Sequence, residues 1–303
     1  MDQSMRKYMR VGIILHVAYR GLAGGEGPIL ECLEKVVQDE YFEAVEVAKM
    51  NDPDVRRKAA ALICQAHMDA AYGGQGRTLS AGLNINDLDE DGRKKAVETL
   101  KEGIDEACEL GCQGFSFLSG RYEEETKEQS LGQLLKSTRE LCAYAKSRGN
   151  MPIVCEVFDY DIDKKALIGP APLAARYAKA ITEEYDNFGL LVDLSHIPML
   201  HETIEESILP VKDYIRHAHM GNTVIKSPEC MAYGDNHPRF GFPHSENDVE
   251  ELALYLRTLL QIGFLNETNR PIVSFEIKPQ EDETPEAVIA GGKRALNRAW
   301  ELV

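Results

Sequence analysis

The stretch PIVCEVFDYDIDKKALIGPAPLAARYAKAITEEYDNFGLLVDLSH, residues 152–196, decides the fold class. Its two ends, PIVCEVFD (152–159) and FGLLVDLSH (188–196), are short apolar runs with the length and composition of buried strands. Between them APLAARYAKAITEEYDN (171–187) carries helical periodicity. Two strands joined through a helix run parallel, because the crossover carries the chain back to the end of the sheet where it started.

Outward from this unit the same rhythm recurs. Strand candidates stand at VGIILHV (11–17), EAVEVAK (43–49), ALICQAH (61–67), GFSFLS (114–119), YIRHAHM (214–220) and PIVSFEIKP (271–279), which makes eight with the two above. Helical patterns fill 28–40, 89–111, 130–149, 247–263 and 285–303, and Gly111 and Gly149 supply stops for the second and third of these. Eight strand–helix units in 303 residues predict an α/β fold, a (β/α)8 TIM barrel spanning 1–303 as a single domain, with a doubly wound open sheet as the alternative. Two irregular stretches, 71–87 and 221–245, follow the ends of strands three and seven, on the face where barrel enzymes build their sites.

Composition narrows the function. Lys and Arg total 34 against 50 Asp and Glu, and a net charge of −16 argues against nucleic acid as the partner. Seven cysteines without a CxxC pair read as reduced, mostly buried thiols. Neither a signal h-region in 1–19 nor an 18-residue apolar run elsewhere points to a membrane, so the expected location is cytoplasmic.

Polar residues interrupt the apolar strands near their ends: Glu156 in IVCEVFD, Asp193 and His196 in LLVDLSH, His219 in RHAHMGN and Glu276 in VSFEIKP. Singly, each has a plain structural explanation, as an ion pair, a turn cap or a satisfied histidine. Jointly they converge on a barrel mouth. Two glutamates, one aspartate and one histidine suit one divalent ion, Mn²⁺, Co²⁺ or Mg²⁺, with Zn²⁺ also compatible. The absence of cysteine from the set favours a catalytic site with open positions over a closed structural one.

This order of motifs, Glu in strand five, Asp-x-x-His after strand six, His-x-His-Met-Gly in strand seven and Phe-Glu in strand eight, resembles the xylose isomerase-like TIM-barrel superfamily. Within it the pattern is most similar to the sugar isomerase and epimerase branch that includes the ketose 3-epimerases. The resemblance implies that Glu156, Asp193, His219 and Glu276 hold one metal ion and that Glu156 and Glu276 also exchange protons with the substrate. It also implies that His196 and His67 touch a small carbohydrate and that the chain forms a homo-oligomer. GDNHPRFG resembles a segment of the endonuclease IV side, so Asp235 and His237 are read as substrate contacts or second-metal ligands, with an ordinary polar turn as the alternative.

Departures limit what carries over. Leu118 and Ser119 replace the histidine that bridges the endonuclease zinc cluster, which argues against DNA cleavage. The arginine-bearing loop of the 3-epimerases is replaced by a longer segment in which Arg239 and Lys226 are the candidate substitutes. Glu46 at the end of strand two lacks the GxGxxG context of a dinucleotide site, no Walker GK[ST] or GxSxG motif occurs, and GGQGR (73–77) reads as a flexible lid. The acidic KPQEDETPE after strand eight favours an unphosphorylated substrate. The expected function is metal-dependent isomerisation or epimerisation of a small sugar through an enediolate. Dehydration or lyase cleavage of an inosose or sugar conjugate, and non-catalytic sugar binding, stand as alternatives.

Overall fold

The computed structural model describes residues 3–303. Eight strands, β1 (Arg10–Ile14), β2 (Ala44–Val47), β3 (Asp69–Gly73), β4 (Phe115–Leu118), β5 (Ile153–Glu156), β6 (Phe188–Asp193), β7 (Ile215–Gly221) and β8 (Ile272–Glu276), pair in parallel and in sequence order. β8 returns to β1, closing the barrel. This is the (β/α)8 architecture, and the closed order rules out the open sheet. Among the described residues, no helix is long and apolar enough to cross a membrane.

All six helical patterns form helices, and local chemistry sets their ends. Asp89 caps Glu90–Glu109 by accepting from the Gly92 amide at 3.0 Å, Glu90 and Asp91 face the positive helix end, and Gly111 takes φ +71° just past the last turn. The core is continuous between barrel and helices, with Val11, Ile13, Val45, Phe115, Phe117 and Phe275 all buried in one apolar cluster.

One strand expectation fails. Residues 61–67 belong to the helix Pro53–Gln65 and its exit, and the third strand is Asp69–Gly73. Asp52 caps the helix through the Asp54 amide at 2.8 Å, Pro53 occupies its first turn, and Ala59 and Ile63, four residues apart, bury the same face. His67 therefore does not line a pocket. It is exposed in the turn before β3, at the opposite end of the barrel, with φ +51°. GGQGR is not a lid either: it ends β3 and opens the helix Gln75–Ala81, whose Arg77 is buried against Glu106. Every cysteine is free, but only Cys32, Cys112, Cys142 and Cys155 are buried.

Candidate active site

Strand register brings the polar interruptions together. Asp193 is level with His219 across β6 and β7, and Gly221 is level with Glu276 across β7 and β8. One oxygen or nitrogen from each of Glu156, Asp193, His219 and Glu276 lies within 4.8 Å of the others. His219 Nδ1 is 2.8 Å from Glu276 Oε2 and 3.6 Å from Glu156 Oε1, yet none of these three buried atoms makes an aligned hydrogen bond. An unsatisfied buried polar atom costs about 1–3 kcal/mol. Three of them aimed at one point fit a divalent cation, which carboxylate oxygens and a neutral imidazole satisfy together.

The remaining atoms of these residues are tied down. Glu156 Oε2 accepts from Gln75 Nε2 at 2.6 Å, and the Ser116 hydroxyl donates to the Gln75 side-chain oxygen Oε1 at 3.1 Å. Gly74 makes this possible, because a Cβ there would collide with the Phe115 ring as the chain turns from β3 into the helix that presents Gln75. Asp193 accepts from the Ser195 amide at 2.9 Å and from its hydroxyl. Behind His219, Nε2 sits 3.1 and 3.2 Å from the two oxygens of Glu46, which His217 also meets at 2.7 Å.

A second layer surrounds the cluster. Asp235 lies 2.8 Å from His237, 3.2 Å from His196 and 2.6 Å from Lys164, so its carboxylate is engaged within the chain. Lys164 is itself presented by a loop wound around Asp159, which accepts from the amides of Ile162, Asp163, Lys164 and Lys165. His237 takes φ +45°, rare for a residue with a side chain, and its carbonyl accepts from the Lys278 amide at 2.7 Å. Its Nε2 is 3.3 Å from Glu276 Oε1.

Above the cluster opens a cavity of about 360 Å³. Glu156, His219 and Glu276 floor it, while His16, Arg20, Gln75, Lys164, Asp235, His237 and Lys278 are on its walls. His196 is not on this wall. Its ring centroid lies 3.9 Å from that of Phe158 with the planes tilted by 36°, Nδ1 meets the Val157 carbonyl at 3.1 Å, and Nε2 meets Asp235. Arg239 and Lys226 are also absent from the cavity, paired with Glu283 at 2.7 Å and Glu246 at 2.5 Å.

Burial and charge oppose each other throughout. Burial disfavours the imidazolium of His196, but Asp193, Asp235 and Glu156 outweigh it and raise its pKa to about 10. His237 rises to about 9 because Glu276 and Asp235 outweigh burial in the same way. His219 is raised well above the usual histidine range by Glu46, Glu276 and Glu156 against the same penalty. Burial raises the Glu276 carboxyl despite the neighbouring imidazoles. His16 is pushed down to about 4, mainly by burial and further by His219 and His237, so it faces the cavity as a neutral ring.

Of the residues singled out in sequence, Glu156, Asp193, His196, His219, Asp235, His237 and Glu276 come together, while His67, Arg239 and Lys226 fall elsewhere. Sequence reasoning missed Glu46, His16 and Gln75 as site residues. Glu46 breaks the strand AVEV as Glu156 breaks IVCEV, so the same signal was present for it.

A model of the xylose isomerase-like TIM barrel family matches residues 35–296. Among solved structures, the IOLI protein with a bound zinc atom superposes with a TM-score of 0.74 at 16% identity, covering 97% of this chain and 99% of that one. A D-tagatose 3-epimerase-like protein gives 0.72 at 18% identity, covering 97% and 98%. The 3-keto-D-glucoside 4-epimerase YcjR of E. coli gives 0.67 at 13%, covering 97% and 99%. At these identities the likeness is one of fold. No curated protein sequence matches the chain significantly.

Proposed function

The chain belongs to the xylose isomerase-like TIM barrel family, and from that premise we propose that it is a divalent-metal-dependent isomerase or epimerase of a small unphosphorylated sugar. The substrate class is a ketose or a polyol-derived or cyclic relative. One observation carries this reading: the unpartnered donors of Glu156, His219 and Glu276, with Asp193 beside them, at the floor of an open cavity. Glu156, Asp193, His219 and Glu276 would hold the ion, which is Mn²⁺, Co²⁺, Mg²⁺ or Zn²⁺. The zinc in the IOLI structure and the sugar substrates named for the epimerases support the metal and the substrate class.

When bound, the ion would polarise a substrate carbonyl and acidify the neighbouring C–H. The protein's own groups then move the proton. We assign Glu156 and Glu276 as the pair, one taking the proton from carbon and the other delivering one. Delivery to the opposite face of the same carbon inverts it, and delivery to the former carbonyl carbon isomerises the sugar. Gln75 fixes Glu156 through Oε2, and His237 stands 3.3 Å from Glu276 Oε1, so each carboxylate is held in place as its proton comes and goes. Neutral His16, with a buried Nδ1 that has no partner, and His237 supply hydroxyl partners on the wall. Asp235 lines the same wall, and His196, outside the cavity, acts through its bond to it.

Proton NMR in D₂O tests this reading, with ketoses, aldoses and inososes incubated with the protein and Mn²⁺, and with EDTA as control. Stereospecific deuterium uptake that EDTA abolishes is the expected result. Loss of water or of an aglycone in the same spectra would move the chemistry to elimination. Metal binding without exchange in any sugar would remove the isomerase reading.

A further inference from the structure

The barrel interior holds a second cavity, of about 190 Å³, at the end opposite the mouth. His217, Ser116, Ala71 and Ile272 line it, with partly buried Arg10 and exposed Arg216 at its opening. Among the described residues, Glu46 alone lines both this cavity and the one at the mouth. It is 2% exposed and stands as the partition between them.

Its contacts are directional. From below, His217 Nε2 meets Glu46 Oε1 at 2.7 Å; from above, His219 Nε2 meets both oxygens at 3.1 and 3.2 Å. The two rings stand nearly perpendicular, at 87°, with centroids 5.2 Å apart. A carboxylate accepts hydrogen bonds and cannot donate them, so it selects the His219 tautomer whose proton is on Nε2. Once the ring gives up its other proton in favour of a cation, the lone pair is on Nδ1, the atom aimed at Glu156 and Glu276. His217 holds the carboxylate from the side of the lower cavity.

We propose that Glu46 is a positioning residue for the metal site, orienting His219 so that Nδ1 is its ligand atom. This rests on the reading of Glu156, Asp193, His219 and Glu276 as metal ligands. Carboxylate partners of ligating histidines change metal affinity by about 10–100-fold when removed.

Titration of the metal-free full-length protein with Co²⁺, followed by calorimetry and by the visible spectrum of the bound ion, tests it. Wild type is expected to bind one equivalent at the mouth. Glu46→Gln and Glu46→Ala should bind the same single equivalent about 10–100-fold more weakly, with an altered visible band. Excess sodium formate, small enough to occupy the place of the lost carboxylate, should restore affinity in Glu46→Ala but not in Glu46→Gln, where the amide fills the space. That rescue also shows that the alanine variant is folded. Unchanged Co²⁺ affinity and spectrum in Glu46→Gln would overturn the inference while leaving the ligand assignment intact. Two equivalents in wild type, falling to one in Glu46→Gln, would make Glu46 a ligand in a site with His217 and His219 and would equally overturn it. No Co²⁺ binding by wild type would remove the metal reading and this inference together.

Discussion

The two ends of this barrel treat polar groups in opposite ways. At the base, Arg10 donates through Nε to the Arg270 carbonyl at 2.7 Å and through Nη1 to Asp69 at 2.5 Å and Gln113 at 2.9 Å, while Glu43 is shared by Arg6 and Arg270. At the mouth, Glu156 Oε1, His219 Nδ1, His237 Nδ1 and Glu276 Oε2 are buried without a hydrogen-bond partner. Paired charges at the base consume most of one another's hydrogen-bonding capacity, with Arg270 Nε left over, and contribute to stability. The atoms left without an aligned hydrogen bond at the mouth retain that capacity for something the chain does not contain. The difference assigns stability to one end and chemistry to the other, within strands only four to seven residues long.

The sharpest way to break this comparison is at the mouth. Glu276→Gln should lower deuterium exchange into substrate by about 10³-fold or more, equivalent to about 4 kcal/mol of barrier, with little change in melting temperature. A comparable loss of stability with intact exchange would place Glu276 among the structural carboxylates.

A buried pair away from the cavity should behave in the reverse manner. Arg77 and Glu106 are both nearly inaccessible, and Glu106 also accepts from the Met50 amide at 2.6 Å and Tyr72 at 3.1 Å. Glu106→Gln leaves Arg77 buried without its counter-charge and should cost about 3–5 kcal/mol in denaturant unfolding. Because Arg77 sits on the helix that begins with Gln75, metal affinity should fall modestly in the same variant.

Metal itself should act as a stabiliser confined to the mouth. An ion present at about a hundred times its dissociation constant adds about 2.7 kcal/mol, read as a rise in melting temperature that EDTA reverses. Glu156→Gln should abolish that rise, whereas Arg10→Ala should retain it.

The smallest effect is expected at the base. Arg10 and Asp69 are partly exposed, with side chains 22% and 31% accessible, so Arg10→Ala should cost about 1 kcal/mol or less and leave exchange per bound metal unchanged. A loss of exchange there would mean that the base is coupled to the site, through the lower cavity and Glu46.

Most of the candidate site was readable one strand at a time. A carboxylate or imidazole in an otherwise apolar strand is a local anomaly, and Glu156, Asp193, His219 and Glu276 each announce themselves in this way. The third strand was not readable. DAAYG is short and largely small-sided, whereas the preceding ALICQAH is more apolar but takes helical spacing once Asp52 and Pro53 have started a helix. That shift carried His67 from the mouth to the base.

By itself, the sequence determined most of the strand–helix alternation and the donor types at the strand ends, because these follow from periodicity and from the cost of placing charge in an apolar segment. Only the tertiary structure decided which groups partner one another. Glu46 and His217 are 171 positions apart, and Gln75 and Glu156 are 81 apart. Barrel closure and register bring such pairs within hydrogen-bonding distance, and no local pattern records which residues will meet.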